Sequence, residues 1–402
     1  MVPGARSVAL GCWVAVGGRD ESDELAGASH FLEHLLFKGT ANRSASELSR
    51  AVDATGGDLN AFTTPEYTAY HARLPEGHLD LALDVLSEVV WSPALRDDDI
   101  EAERSVILEE LLMNEDELED RVLRLLDESL FPGNPLGREV LGDRASIEAM
   151  RPEAVRAFHD RWYRPANVVV AAAGAVDHAA VVEGMAARLP AGLTGGERPE
   201  RRAPVAPLRP FVSHKRRSEQ AHLAIGVRGL RRDDPDRYAL AVANQVLGDG
   251  TSSRLFTTVR EERGLAYTVY SSPSAYTDAG TLLVYAGTAP DHAAEVLGLL
   301  HGALDDLAAA PIDPEELAVA TGYLAGSTVL GLEDTSSHME RLGWSTLMEG
   351  RVPPIDEVLD RFRAVTVDDV SRIARRLLDG APRAVAAVGP ISKKDLGAIH
   401  AA

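Results

Sequence analysis

Five adjacent residues, His30-Phe31-Leu32-Glu33-His34, place two imidazoles and a carboxylate where they could share one task. On a helix, at 100° per residue, His30 and His34 point about 40° apart and one turn from each other, and Glu33 lies about 60° from His30 on the same side. Two imidazoles at this spacing can bind one metal ion, and a carboxylate beside them can hold the metal's water. The ordinary alternative is two histidines on a structural helix. Phe31, Leu32, Leu35, Leu36 and Phe37 make the segment apolar nearly all round, so it should be buried. Ionisable groups on a buried helix are costly unless paired or metal-bound, which favours zinc.

Two histidines do not complete a catalytic zinc site, which takes three protein ligands and keeps one position open. Carboxylates for the third place stand on a second predicted helix. It opens at Asp97-Asp98-Asp99, acidic residues suited to a helix N-terminus, runs to about Leu130 and stops at Pro132-Gly133. Ile100, Ile107, Leu111, Leu118, Val122 and Leu125 give it an apolar stripe. Glu103 and Glu110 are seven residues apart, hence within about 20° of each other along the stripe's edge, and can face inward. Glu101 and Glu109 are less well placed. Taken alone, each of these carboxylates also reads as part of a solvated helix face.

Other elements must position these groups. Val8 to Val16 reads as a buried β-strand, and the histidine helix covers roughly Leu25 to Phe37, stopping at Gly39. Residues 191–210 are dense in Gly, Pro and Arg and lack periodicity, so they read as a linker between two domains, 1–190 and 211–402. The halves look related. Each has a strand, a charged turn and an apolar helix, ending at Gly39-Thr40 in one and Gly250-Thr251 in the other. Each closes on an Ala/Val strand ending in glycine, Val168 to Gly174 and Arg383 to Gly389. Strands and long helices mix without strict alternation, which predicts α+β layers rather than a doubly wound parallel sheet.

Composition narrows the setting. Of 402 residues, 45% are apolar and 26% charged, so the chain can bury a core and is not disordered. Acidic residues outnumber basic ones 62 to 41, for a net charge of −21, which argues against nucleic acid as a partner. The one cysteine, Cys12, permits no intrachain disulfide and suits a reducing, cytoplasmic compartment. Only three apolar residues stand immediately before it, too few for the h-region of about 7–15 that a secretion signal needs. No apolar run approaches the ~18 residues of a membrane span, so no membrane partner is expected.

The motif is the inverted zinc-protease signature. With its surroundings, Gly27-Ala-Ser-His30-Phe-Leu-Glu33-His34-Leu-Leu-Phe-Lys-Gly39-Thr40, it resembles the mitochondrial processing peptidase and pitrilysin family, in particular its bacterial processing-peptidase-like branch. The stretch Glu103-Arg-Ser-Val-Ile-Leu-Glu-Glu110 resembles the family's third-ligand segment. The resemblance implies one zinc per chain held by His30, His34 and Glu110, with Glu33 as general base and Glu103 supporting the site by hydrogen bonding. Gly57-Asp58-Leu59-Asn60-Ala61-Phe62-Thr63 is similar to the family's edge strand. Asn60, Ala61 and Phe62 are thereby implied to receive a peptide substrate as an added strand. Val259-Arg260-Glu-Glu-Arg-Gly264-Leu-Ala-Tyr267 resembles the Arg and Tyr pair of the family's C-terminal domain. It implies that Arg260 and Tyr267 hold substrate and steady the oxyanion. Thr335 to Gly343 looks like the family's late helix, so the likeness covers nearly the whole chain.

Its implications are specific. Two homologous domains would form a clamshell when the chain dimerises, and a homodimer could supply every part because one chain carries both motifs. The activity implied is zinc-dependent endopeptidase cleavage of peptides or unfolded segments inside a chamber. The alternative is a non-proteolytic structural subunit, or one dependent on a distinct partner. There are departures from the pattern. Where the first half has His30, Glu33 and His34, the second has Ala241, Asn244 and Gln245, so it builds no zinc site of its own. The family usually begins with one more strand before the equivalent of Val8. Its absence suggests a truncated or mis-started chain and puts the first sheet edge in doubt.

Overall fold

The computed structural model describes residues 4–397. Four strands form the first sheet: β1 (Ser7–Val14), β2 (Asp58–Thr63), β3 (Thr68–Pro75) and β4 (Val168–Gly174), in the order β2-β3-β1-β4. All their pairings are antiparallel. The second sheet holds β5 (Phe211–Lys215), β6 (Ala221–Arg228), β7 (Ala266–Ala275), β8 (Gly280–Thr288) and β9 (Ala384–Gly389), in the order β5-β9-β6-β8-β7. From its far end, β7-β8-β6-β9 repeats β2-β3-β1-β4 strand for strand. The fold is α+β with a duplicated topology. The second sheet adds β5, parallel to β9. Among the described residues no strand pairs with the outer edge of β4, and β4 is half-exposed where β9 is wholly buried.

Alternation along β1 explains why its run is apolar throughout. Val8, Leu10, Cys12 and Val14 face a core shared with α1 (Ala28–Leu35), α2 (Ala45–Asp53), α3 (Leu79–Trp91) and the first part of α4 (Asp97–Asp116). Ala9 and Trp13 face the opposite way, onto the helix Thr335–Glu349. A strand buried on both faces has no position for a polar residue. That late helix approaches closely because two glycines allow it. A Cβ at Gly343 would lie 2.4 Å from the Trp13 ring, and one at Gly11 would lie 2.6 Å from the Met339 sulfur.

The chain forms two compact units, each discontinuous. One comprises residues up to 112, 139–201 and 329–353, and the other 113–138, 202–328 and 354 onward. One crossing, at Arg201/Arg202, falls inside the expected 191–210 linker. The exchange of 113–138 and 329–353 was not anticipated from sequence.

It also corrects the long helix expected over 97–130. That helix ends at Asp116, Glu117 is extended, and a separate α5 (Leu118–Leu130) follows. The apolar stripe is divided between two cores: Ile100 and Ile107 belong to the first, whereas Val122 and Leu125 lie on the second sheet with Ala224, Tyr285 and Ala386. Two smaller boundaries also differ. The first strand stops at Val14, not Val16, and the histidine helix is Ala28–Leu35, not Leu25 to Phe37, because Asp23–Leu25 is a separate 3₁₀ turn.

Gly343→Val should lower unfolding stability in urea by about 1–3 kcal/mol, the usual range for overpacking a filled core, and should shift Trp13 fluorescence. Unchanged stability would mean that the late helix does not seat on β1.

Candidate metal centre

Helix α1 is held at its start by a buried carboxylate. Glu21 accepts from the backbone N–H groups of Gly27 and Ser29, each at 2.7 Å, satisfying donors that a helix N-terminus leaves open and complementing its dipole. Gly27 turns the chain into the helix at φ +91°, a left-handed conformation natural to glycine. One turn on, His30 and His34 share a face with ring centroids 4.6 Å apart. His30 is 7% exposed.

Helix α4 brings the carboxylates. Glu110 Oε2 lies 3.7 Å from His30 Nε2 and 3.5 Å from His34 Nε2. Glu103, seven residues earlier on the same face, accepts from His34 Nδ1 at 2.8 Å and pairs with Lys38. Glu101 turns to solvent, where it pairs with Arg104 at 2.9 Å, and Glu109 is exposed. Glu33 lies on the α1 face toward β2, where its Oε2 accepts from the Thr63 hydroxyl.

The environment sets the protonation states. Burial drives the His30 imidazole down to about 3, and neighbouring His34 adds to this, so His30 is neutral and able to ligate. The Glu103 hydrogen bond holds His34 above the usual histidine range. Burial would raise Glu103, but hydrogen bonds from His34 and Lys38 outweigh it and keep it ionised. An ionised carboxylate can only accept, so Nδ1 of His34 carries a hydrogen, which leaves Nε2, on the Glu110 side, as the nitrogen that would ligate a metal once deprotonated. Burial raises Glu33, opposed by the Thr63 hydrogen bond.

These residues fit zinc. His30, His34 and Glu110 each offer one ligand atom, all within 4.8 Å of one another. A tetrahedral ion with ligands at about 2.0–2.2 Å spaces its ligand atoms roughly 3.3–3.6 Å apart; Glu110 lies 3.5 Å from His34, inside that range, and 3.7 Å from His30, just beyond it. These separations are long for hydrogen bonds and within reach of ion pairing, with the Glu110 charge acting on His34.

Asn60, Ala61 and Phe62 lie on β2, an edge strand of the first sheet. Asn60 Oδ1 accepts from the Ala61 N–H at 2.8 Å. The Phe62 side chain turns to the opposite face from Ala61, against Tyr67 and His71. In the second unit, Arg260 stands on a π-helical turn, Phe256–Glu262, and Tyr267 at an irregularity in the β7–β8 register. Both irregularities re-aim side chains. The Arg260 guanidinium carbon lies 4.6 Å from the ring centres of both Phe256 and Tyr267, and Tyr267 is 76% exposed. Thr63, Lys38 and Phe256 were missed from sequence. Lys38, four residues past His34 on the helix period, carried a detectable signal, whereas Thr63 and Phe256 did not.

Residues 2–144 match the insulinase peptidase family model, M16, and residues 149–321 match the model of the M16 inactive domain. An uncharacterized zinc protease of Streptomyces coelicolor is 43% identical over 99% of this chain and 88% of its own length. One from Bacillus subtilis is 36% identical, over 93% of this chain and 91% of its own length. This chain belongs to peptidase family M16. A crystal structure of an M16 inactive domain from Pseudomonas fluorescens superposes with a TM-score of 0.88 at 22% identity, covering 97% of this chain and 94% of that one, a likeness of fold. Membership of M16 and the relatives' names support a zinc metalloprotease. The inactive-domain match falls largely on the half in which Asn244 and Gln245 hydrogen-bond within the fold, to Ser271 and to the Asp249 carbonyl. Among the described residues no helix is long and apolar enough to cross a membrane.

Elemental analysis should find one zinc per chain, lost in His30→Ala, His34→Ala and Glu110→Ala. Glu103→Gln should retain zinc but bind it roughly 10–100-fold more weakly, the usual cost of removing a ligand's orienting partner. Unchanged affinity in Glu103→Gln would sink that orienting role.

Proposed function

We propose that this chain is a zinc-dependent endopeptidase that cleaves extended peptides or unfolded segments. The carrying observation is the convergence of His30, His34 and Glu110, with Glu33 beside them and held from an open strand edge. Zinc, when bound there, would supply Lewis-acid polarisation of the scissile carbonyl and lower the pKa of water. Glu33 would take the proton of the attacking water and pass it to the leaving amine. Its burial, which raises its affinity for a proton, suits a group that must both accept and return one.

Edge strand β2 supports the substrate class. The Ala61 N–H is bonded to the Asn60 side chain, so it stands outside the ladder and toward the open edge. A substrate segment would take its place there as an added strand, which a folded protein cannot present. Arg260 and Tyr267 are proposed to hold substrate and steady the oxyanion. Tyr267 is exposed and the half-buried Arg260 lies against its ring, an arrangement that suits a cationic and hydroxyl donor pair. A complete ligand set argues against the alternative of a non-proteolytic subunit. The resemblance supports a homodimer enclosing a chamber, a proposal that sedimentation of the purified chain at one protomer's mass would remove. Its one cysteine, buried, is consistent with a cytoplasmic setting.

Glu33→Gln should keep its zinc yet lose about 10²–10⁴-fold in turnover of a peptide library read by mass spectrometry. Near-normal turnover would move water activation elsewhere. Tyr267→Phe should lower kcat by about 10²–10³-fold, the cost of one oxyanion donor, with zinc content unchanged. An unaffected kcat would remove Tyr267 from the reaction.

A further inference from the structure

We propose that Thr63 is the positioning residue of the general base, and that it ties the orientation of Glu33 to the strand that receives substrate. The inference rests on the peptidase reading above.

The side chains of Leu59 and Ala61 turn toward the α1 core, whereas Phe62 turns to the other face. Thr63, by alternation, shares the face of Leu59 and Ala61, and its hydroxyl donates to Glu33 Oε2. A hydroxyl has one hydrogen, so this contact occupies one carboxylate oxygen and leaves Oε1 as the acceptor for a water's proton. Threonine is β-branched and stiff at its first torsion, so the donor moves little.

The strand behind the hydroxyl is anchored equally firmly. Thr64 and Tyr67 close the β2–β3 turn through Thr64 N–H to the Tyr67 carbonyl at 2.9 Å and Tyr67 N–H to the Thr64 hydroxyl at 3.1 Å. Gly18 N–H donates to the Thr64 carbonyl at 3.1 Å, and Arg19 N–H to the Pro65 carbonyl at 2.9 Å. A Cβ at Gly17 would fall 2.1 Å from the Thr64 carbonyl oxygen, so only glycine permits this approach. Below the turn, Glu66 is paired with Arg19 at 2.7 Å, and Arg201 pairs with Asp20 at 2.8 Å and donates to the Glu66 carbonyl at 2.5 Å. Arg19, Asp20 and Glu66 are almost wholly removed from solvent. A buried ionic network of this kind contributes little net stability against an apolar replacement, but it fixes geometry. Here the fixed element is the end of an edge strand that carries Ala61 on its outer side and Thr63 on the base. A substrate paired along β2 would thus be registered to the same rigid strand that aims Glu33.

The test uses the full-length zinc-loaded chain and an extended fluorogenic peptide that the wild type cleaves. Thr63→Val keeps the shape and removes the donor; Thr63→Ser keeps the donor. Thr63→Val should lower kcat about 10–100-fold, the usual cost of misplacing a reacting group by a fraction of an ångström to an ångström, with KM little changed. Thr63→Ser should restore most of the loss. In a Glu33→Gln background, Thr63→Val should cause no further fall. Anisotropy should show the peptide bound to that background equally well with Thr63 or valine, and zinc content should not change. An unaffected kcat in Thr63→Val, an additive loss in the Glu33→Gln background, or weakened peptide binding would each overturn the role. A wild type that holds zinc but cleaves no peptide overturns the peptidase reading and this role with it. An active wild type indifferent to Thr63→Val overturns this role alone.

Discussion

A carboxylate at 4% exposure needs partners for both oxygens, and Glu103 takes one from His34 Nδ1 and the other from Lys38. Both partners stand on or just beyond α1, and Glu103 stands on α4, so this contact sets how the two helices face each other. It also selects the histidine tautomer. Once Nδ1 of His34 is committed, Nε2 turns to the space shared with His30, and Glu110, two turns along α4, falls beside it. The burial that makes Glu103 costly without partners restricts the arrangement: few geometries satisfy it, and the observed one brings together His30, His34 and Glu110, a set that could hold a metal ion.

The scaffold below serves the same end. β1 is buried on both faces, and its two sides are covered by parts of the chain far apart in sequence, α1 and its neighbours on one and the helix Thr335–Glu349 on the other. Gly11 and Gly343 let that helix close on Trp13 without a gap. A symmetrical device appears in the second unit, where a Cβ at Gly226 would lie 2.9 Å from Leu130 of α5. Each sheet borrows a covering helix from beyond its own half of the sequence, so the linker is only one of several crossings between units, and a cut there would strip the first sheet of one face.

Duplication and divergence are visible together. The strand orders repeat, but the second helix that corresponds to α1 carries neutral amides, and they are spent inside the fold. That half carries irregular features of its own, a π-helical turn and a strand irregularity that set the Arg260 guanidinium against the rings of Phe256 and Tyr267. Irregular backbone of this kind costs stability and persists where a side chain must be aimed.

Much of this was legible in the sequence for a physical reason: short-range periodicity is a property of the chain itself. The 3.6-residue repeat placed His30, Glu33 and His34 on one side of a helix and Glu103 with Glu110 on one side of another, and strands and long helices mixed without strict alternation predicted α+β layers. Tertiary structure alone decided what depends on contacts between distant segments. It broke the helix at Glu117, because Ile107 and Val122 pack into different cores and one straight stripe could not serve both. It placed the Thr63 hydroxyl on Glu33, thirty residues apart, since only strand pairing and the buried Arg19–Glu66 contact fix where that strand ends. And it brought Glu110 to the two imidazoles, because helix spacing states which way a carboxylate points along its own axis but not what stands opposite it.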